Sequence, residues 1–117
     1  MDFMKREWEE ESLTVTLVVK EYPVEGVAFE TLKPIIHEIR ENAKDMVIKV
    51  DLRGANLISV ERLRAIMKLC VDVTEYTRQD NILRQIQVIG AGLLFRMIYK
   101  PISLTIPKYF RDIVVFL

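Results

Sequence analysis

Residues 47–66 read VIKVDLRGANLISVERLRAI. An apolar strand runs through Asp51-Leu52-Arg53-Gly54 into a short loop, Ser59, and a long amphipathic helix. This is a strand-to-helix corner. At the carboxyl end of a strand, such a corner is where open α/β sheets place their working surface. The strand is read over 46–53, with Met46, Ile48, Val50 and Leu52 alternating against Val47, Lys49, Asp51 and Arg53, so that its outer face is largely charged. The helix is read over 59–79, with Leu63, Ile66, Met67, Cys70, Val73 and Thr74 on one face and Asp80-Asn81 ending it.

Upstream, residues 3–9 and 13–20 read as a hairpin with its turn at Glu10-Glu11-Ser12. In its second strand, Leu13, Val15, Leu17 and Val19 share a face. A first helix follows. Its Pro34 is compatible with helix only where the amide needs no intrahelical acceptor, which sets Thr31 as N-cap and Leu32, Ile35, Ile36 and Ile39 as the buried stripe. Downstream, residues 82–89 alternate as a further strand, with Ile82, Arg84, Ile86 and Val88 sharing a face, and Gly90 and Gly92 mark the turn after it. Residues 93–102 read as a short helix stopped around Pro101, and 113–117 as a terminal strand. Alternating strands argue against a sheet buried on both faces. The expected fold is a single α/β domain, residues 1–117, with a mixed sheet of about five strands and helices packed mainly on one face.

Composition narrows the function classes. The 117 residues carry 17 basic and 17 acidic side chains, so no net attraction to nucleic acid is expected. Their distribution is uneven. Residues 1–11 hold five acids against Lys5 and Arg6, whereas residues 82–117 hold five cations against Asp112, a net +4. The sole cysteine, Cys70, excludes an internal disulfide, and no apolar run approaches the ~18 residues of a membrane span. The expectation is a soluble, cytoplasmic protein.

The corner Val50-Asp51-Leu52-Arg53-Gly54-Ala55-Asn56-Leu57-Ile58-Ser59-Val60-Glu61-Arg62-Leu63 resembles the STAS domain, the fold of bacterial anti-sigma-factor antagonists, whose corner reads roughly D-L-S-G-V-x-F-I-D-S-S-G-L. Asp51, Leu52, Gly54, Ile58 and Leu63 match, with Ala55 and Leu57 conservative. The resemblance implies a non-enzymatic module that binds another protein through this corner. It also exposes a departure, because the family's phosphorylated serine corresponds here to Glu61, the serine before it to Val60, and the preceding aspartate to Ser59. A second stretch, Ile89-Gly90-Ala91-Gly92-Leu93-Leu94-Phe95 with Tyr99-Lys100-Pro101 and Ile113-Val114-Val115-Phe116, is similar to the closing part of CRAL-TRIO lipid-exchange domains. Those domains are longer and use their additional helices to enclose a lipid.

The expected partner-binding residues are Asn56, Leu57, Ile58, Ser59, Glu61, Arg62 and Arg64. Ser59 reads as the helix N-cap in preference to a modified hydroxyl. The apolar residues of 93–102 wrap more than one side of a short helix, so either the helix is unusually buried within the monomer or Leu94, Phe95, Ile98 and Tyr99 offer a further apolar interface to a partner. His37 stands without the second ligand or nucleophile that a metal site or triad needs, and Cys70 reads as a small core residue. Gly90 and Gly92 lack the third glycine of a dinucleotide loop. No catalytic residue, metal or cofactor is expected. Two alternatives stand beside protein binding: an assembly subunit, homo- or hetero-oligomeric, using the sheet face and third helix, and a minimal carrier of a lipid or other apolar ligand.

Overall fold

A computed structural model describes residues 3–42, 44–55 and 60–117, with the backbone alone at 60, 94, 98 and 102. Five strands form one mixed sheet in chain order: β1 (Met4–Trp8), β2 (Ser12–Val18), β3 (Asp45–Asp51), β4 (Leu83–Ile89) and β5 (Val114–Phe116). β1 pairs antiparallel with β2 as a hairpin, and every later pairing is parallel. The three parallel crossovers carry α1 (Lys33–Glu41), α2 (Val60–Tyr76), and α3 (Leu93–Ser103) with α4 (Lys108–Arg111). Strands added always on the same side, through crossovers of one hand, bring every connecting helix to the same face. The core shows it. Ile36 and Ile39 of α1, Ile66 and Val73 of α2, and Phe110 of α4 pack with Leu13, Val15, Leu17, Met46, Ile48, Val50, Ile86 and Val88. No described helix is long and apolar enough to cross a membrane.

The strand limits follow from pairing. β2 ends at Val18, opposite Asp51, so residues 19–21 leave the sheet as a 3-10 turn and do not extend the strand to Lys20. β3 likewise ends at Asp51, opposite Ile89, two residues before the expected limit. Beyond it the Arg53 amide donates to Asp51 Oδ1 at 3.0 Å in place of a ladder partner. In β4 the expected alternation places Arg84 on the face of Ile86 and Val88. The structure removes that conflict with a bulge: Met46 pairs with Leu83 and Val47 with Gln85, leaving Arg84 between the two registers. Leu83 enters the core, and exposed Arg84 lies 3.7 Å from Asp45, which also accepts a hydrogen bond from the Ser12 hydroxyl.

The helix-free face is less charged than the sequence pattern suggests. Thr14, Val18 and Val47 are buried there, as is Asp51 at the strand end, between longer neighbours such as Lys49, Gln85 and Gln87. Gln87 donates to the Gln85 side-chain oxygen at 2.8 Å. A flat sheet surface of short side chains is covered by the long ones in adjacent strands, so burial does not require a second helical layer.

Three helix readings are corrected. α1 starts at Lys33 with Leu32 at the cap position, and Thr31 lies in the preceding 3-10 turn. Pro34 does sit in the first turn, and Ile35, Ile36 and Ile39 are buried. α2 ends at Tyr76, short of Gln79, and passes into a turn that reaches Asn81 at φ +53°. Its buried stripe includes Leu69, and Thr77 in the turn just after it is also buried, with the Thr74 and Thr77 hydroxyls donating to the Cys70 and Val73 carbonyls at 2.7 and 2.8 Å. α3 continues through Pro101 to Ser103. The proline falls in the last turn, where the Ser103 hydroxyl donates to the Lys100 carbonyl at 2.6 Å, one of the carbonyls that a helix end leaves without an intrahelical amide. Residues 108–111 form α4, a single turn too short for its periodicity to be read from the sequence.

Candidate functional site

Three segments meet at the carboxyl ends of the parallel strands: residues 19–22 after β2, 52–55 after β3, and 90–92 after β4. They are locked together by glycines. Gly54 has φ +79°, and a Cβ on it would lie 3.2 Å from Lys20 Cδ. Gly90 has φ +74°, and a Cβ there would lie 2.6 Å from Arg53 Cγ and 3.2 Å from the Arg53 amide nitrogen. Both positions therefore combine a left-handed backbone with a neighbour already in the place of a side chain. The loop after β4 rests directly against the corner after β3.

Asp51 organises this contact. It accepts from the Arg53 amide at 3.0 Å and from Arg53 Nε and Nη2 at 2.9 Å each. The hydrogen bonds from Arg53 hold the Asp51 carboxyl below its ordinary 3.8, with Lys20 adding to the effect from nearby. Read from the sequence, Asp51 and Arg53 belong to a salt-laced strand face. In the structure they form a two-residue clamp at the strand end, with Asp51 9% exposed. An aspartate two residues before an arginine at a strand-glycine corner is the signal that points to it.

Beyond the corner, Arg62 Nε donates to the Tyr22 carbonyl at 2.7 Å, tying α2 to the segment after β2. Tyr22 is fully buried, edge-on to Phe3 with centroids 5.4 Å apart, and burial pushes its hydroxyl up to about 12. Of the expected partner-binding residues, Glu61 and Arg64 are exposed, and Arg62 is half-buried by its internal bond. Asn56, Leu57, Ile58 and Ser59, with the proposed Ser59 cap, lie outside the described residues. Tyr22, Lys20 and Gly90 were not among the expected site residues, because their roles depend on segments that are distant in sequence.

The α3 region divides between the two readings. Phe95 and Tyr99 turn inward, where their rings meet Phe116 at centroid distances of 6.1 and 5.2 Å, and the Arg96 guanidinium lies 5.3 Å over Phe116. The side chains of Leu94 and Ile98 lie outside the described ones. Among the described side chains of this helix, Leu93 and Met97, absent from the expected interface, are the exposed apolar ones. Beneath it, Leu63, Met67, Cys70, Phe95, Tyr99 and Phe110 help to line an apolar cavity of about 30 Å³. A cavity of ~150 Å³ holds one benzene. The space here is about a fifth of that.

Asp51 is saturated by Arg53, the Cys70 thiol is buried and pushed up to about 12 by that burial, and exposed His37 pairs with Glu41 at 3.0 Å. Among the described residues no group of His, Cys, Asp and Glu is placed to hold a metal ion. No protein-family model and no curated protein matches the chain.

Proposed function

We propose that this chain is a non-enzymatic protein-binding module, resembling STAS regulatory domains, that engages its partner through the corner at residues 56–64. The supporting observation is how the described segments on either side of residues 56–59 are held. Gly54 sits on Lys20, Gly90 on Arg53 and Arg62 on the Tyr22 carbonyl, while Glu61 and Arg64 stay exposed beside them. A surface fixed before binding loses less freedom when the partner arrives. Glu61 replaces a phosphorylatable serine with a permanent charge, so recognition through that position requires no kinase. The same reading places the protein in the cytoplasm, in keeping with one unpaired cysteine.

The experiment is site-specific photocrosslinking in the native source. Crosslinkers at Glu61 and Arg64 should trap one discrete protein that a crosslinker at His37, on the outer side of α1, does not. The double reversal Glu61→Lys/Arg64→Glu should then weaken that complex by more than ~1 kcal/mol with an unchanged melting temperature. Equal trapping from His37, or unaltered affinity of the reversed variant, would sink the corner as the recognition surface.

The assembly alternative draws support from Leu93 and Met97, 77% and 63% exposed on α3. The carrier alternative rests on the small apolar cavity, and lipid in an organic extract of the purified protein would revive it.

A further inference from the structure

The total charge is zero, yet the charges are segregated. No carboxylate occurs between Asp80 and Asp112, while Arg84, Arg96, Lys100, Lys108 and Arg111 fall within that span. At the other end Glu7, Glu9, Glu10 and Glu11 surround Trp8, with Lys5 and Arg6 further from the turn.

The fold converts this linear segregation into two distant surfaces. The Trp8 hairpin borders β1, one edge of the sheet, and its turn lies at the amino ends of the parallel strands. α3 packs on β5, the opposite edge, and begins at the carboxyl end of β4. Four strand spacings of ~4.8 Å separate the two edges by ~19 Å. A molecule cannot place its own hairpin on its own α3.

The two surfaces have matching anatomy and opposite sign. Trp8 is 46% exposed among four exposed glutamates, none of which has an ion-pair partner among the described residues. On α3, Leu93 and Met97 lie four residues apart on one side of the helix, Leu104 follows in the turn just beyond its end, and all three are exposed. Exposed Arg96 and Lys100 flank them. Two such ridges facing each other would oppose cation to cation. The acidic hairpin removes that repulsion and supplies an aromatic anchor of the kind that dominates interface cores.

We propose that this chain associates with itself head to tail, the Trp8 hairpin of one copy seated on the Leu93–Met97–Leu104 ridge of the next. The contact joins two different surfaces, so each added copy leaves one hairpin and one ridge free, and the assembly grows into a ring or a filament. It uses neither Glu61 nor Arg64, and so stands independently of the corner reading.

Sedimentation velocity and tryptophan fluorescence test this directly, because Trp8 is the only tryptophan. Over about a hundredfold rise in concentration at low salt, the average mass should climb and the Trp8 emission should shift to the blue. About 1 M salt, where the Debye length is ~3 Å, should reverse both changes. Glu9→Lys/Glu10→Lys/Glu11→Lys and Arg96→Glu/Lys100→Glu should each weaken association by at least about tenfold alone. Mixed in equal amounts, the two variants should associate again, since each then offers the other a surface of opposite sign. A wild-type chain that stays monomeric at low salt, or a mixture that stays monomeric, would overturn the proposal. So would a wild-type monomer that binds phosphatidylserine vesicles through Arg96 and Lys100, which would assign the ridge to a membrane surface.

Discussion

α1 and α3 pack on the same side of the same sheet and divide their side chains differently. α1 buries Ile35, Ile36 and Ile39 and presents Lys33, His37, Glu38 and Glu41 to solvent, so its apolar residues are consumed by the fold. α3 packs Phe95 and Tyr99 over a cavity and leaves Leu93 and Met97 outside. One helix has the apolar content that its packing needs, and the other has more. Folding alone does not require the surplus on α3, which is the surface the proposed head-to-tail contact would use.

The largest effect that would test this contrast is on the side of complete burial. Ile36→Ala should cost ~2–5 kcal/mol in denaturant unfolding, because the site is fully enclosed and the truncation leaves a cavity. Ile66→Ala on α2, 1% exposed, should fall in the same range. A cost near that of a surface substitution at either position would show that the packed half is looser than its burial indicates.

Next come the glycines of the corner. Gly90→Ala should destabilise by ~1–3 kcal/mol, since it forces a side chain into a left-handed backbone and onto Arg53. Gly92→Ala, two residues on with nothing within 4 Å, should change stability by less than ~0.5 kcal/mol. Equal effects from the two would mean that the Gly90–Arg53 contact does not organise this end of the sheet.

On α3 the contrast predicts little change in stability. Leu93→Ala and Met97→Ala should each move unfolding by less than ~0.5 kcal/mol, whereas self-association should fall. Destabilisation comparable to that of Ile36→Ala would mean that these side chains serve the fold after all, and would erase the distinction between the helices.

The smallest and most conditional effect concerns Asp51. Its folded-state pKa is depressed by Arg53, so the charged pair adds stability above the ordinary carboxylate value and loses it as pH falls through the lowered one. The stability gap between wild type and Asp51→Asn should therefore be constant near neutrality and close as pH drops below 3.8. Because the Arg53 side chain is 71% exposed, added salt should narrow the gap. A gap that widens with acid would contradict the assignment.

Local pattern alone was enough to read the hairpin, the α1 stripe, the alternation of β3 and the buried place of Cys70. Each rests on a period of about two or 3.6 residues, which a chain carries within itself. It also supported a sheet covered by helices on one side, because alternating strands need only one apolar neighbour. Other features were settled by partners far away in sequence. β2 and β3 stop where their neighbours stop, Arg84 leaves the core face because Met46 and Val47 take non-consecutive partners, and Val47 is buried by side chains of other strands. The Gly90–Arg53 contact, the Arg62–Tyr22 bond and the outward side of α3 have the same origin. Periodicity fixes which residues share a face. Only packing between distant segments decides which face is covered, which glycine is crowded, and which apolar side chains remain in solvent.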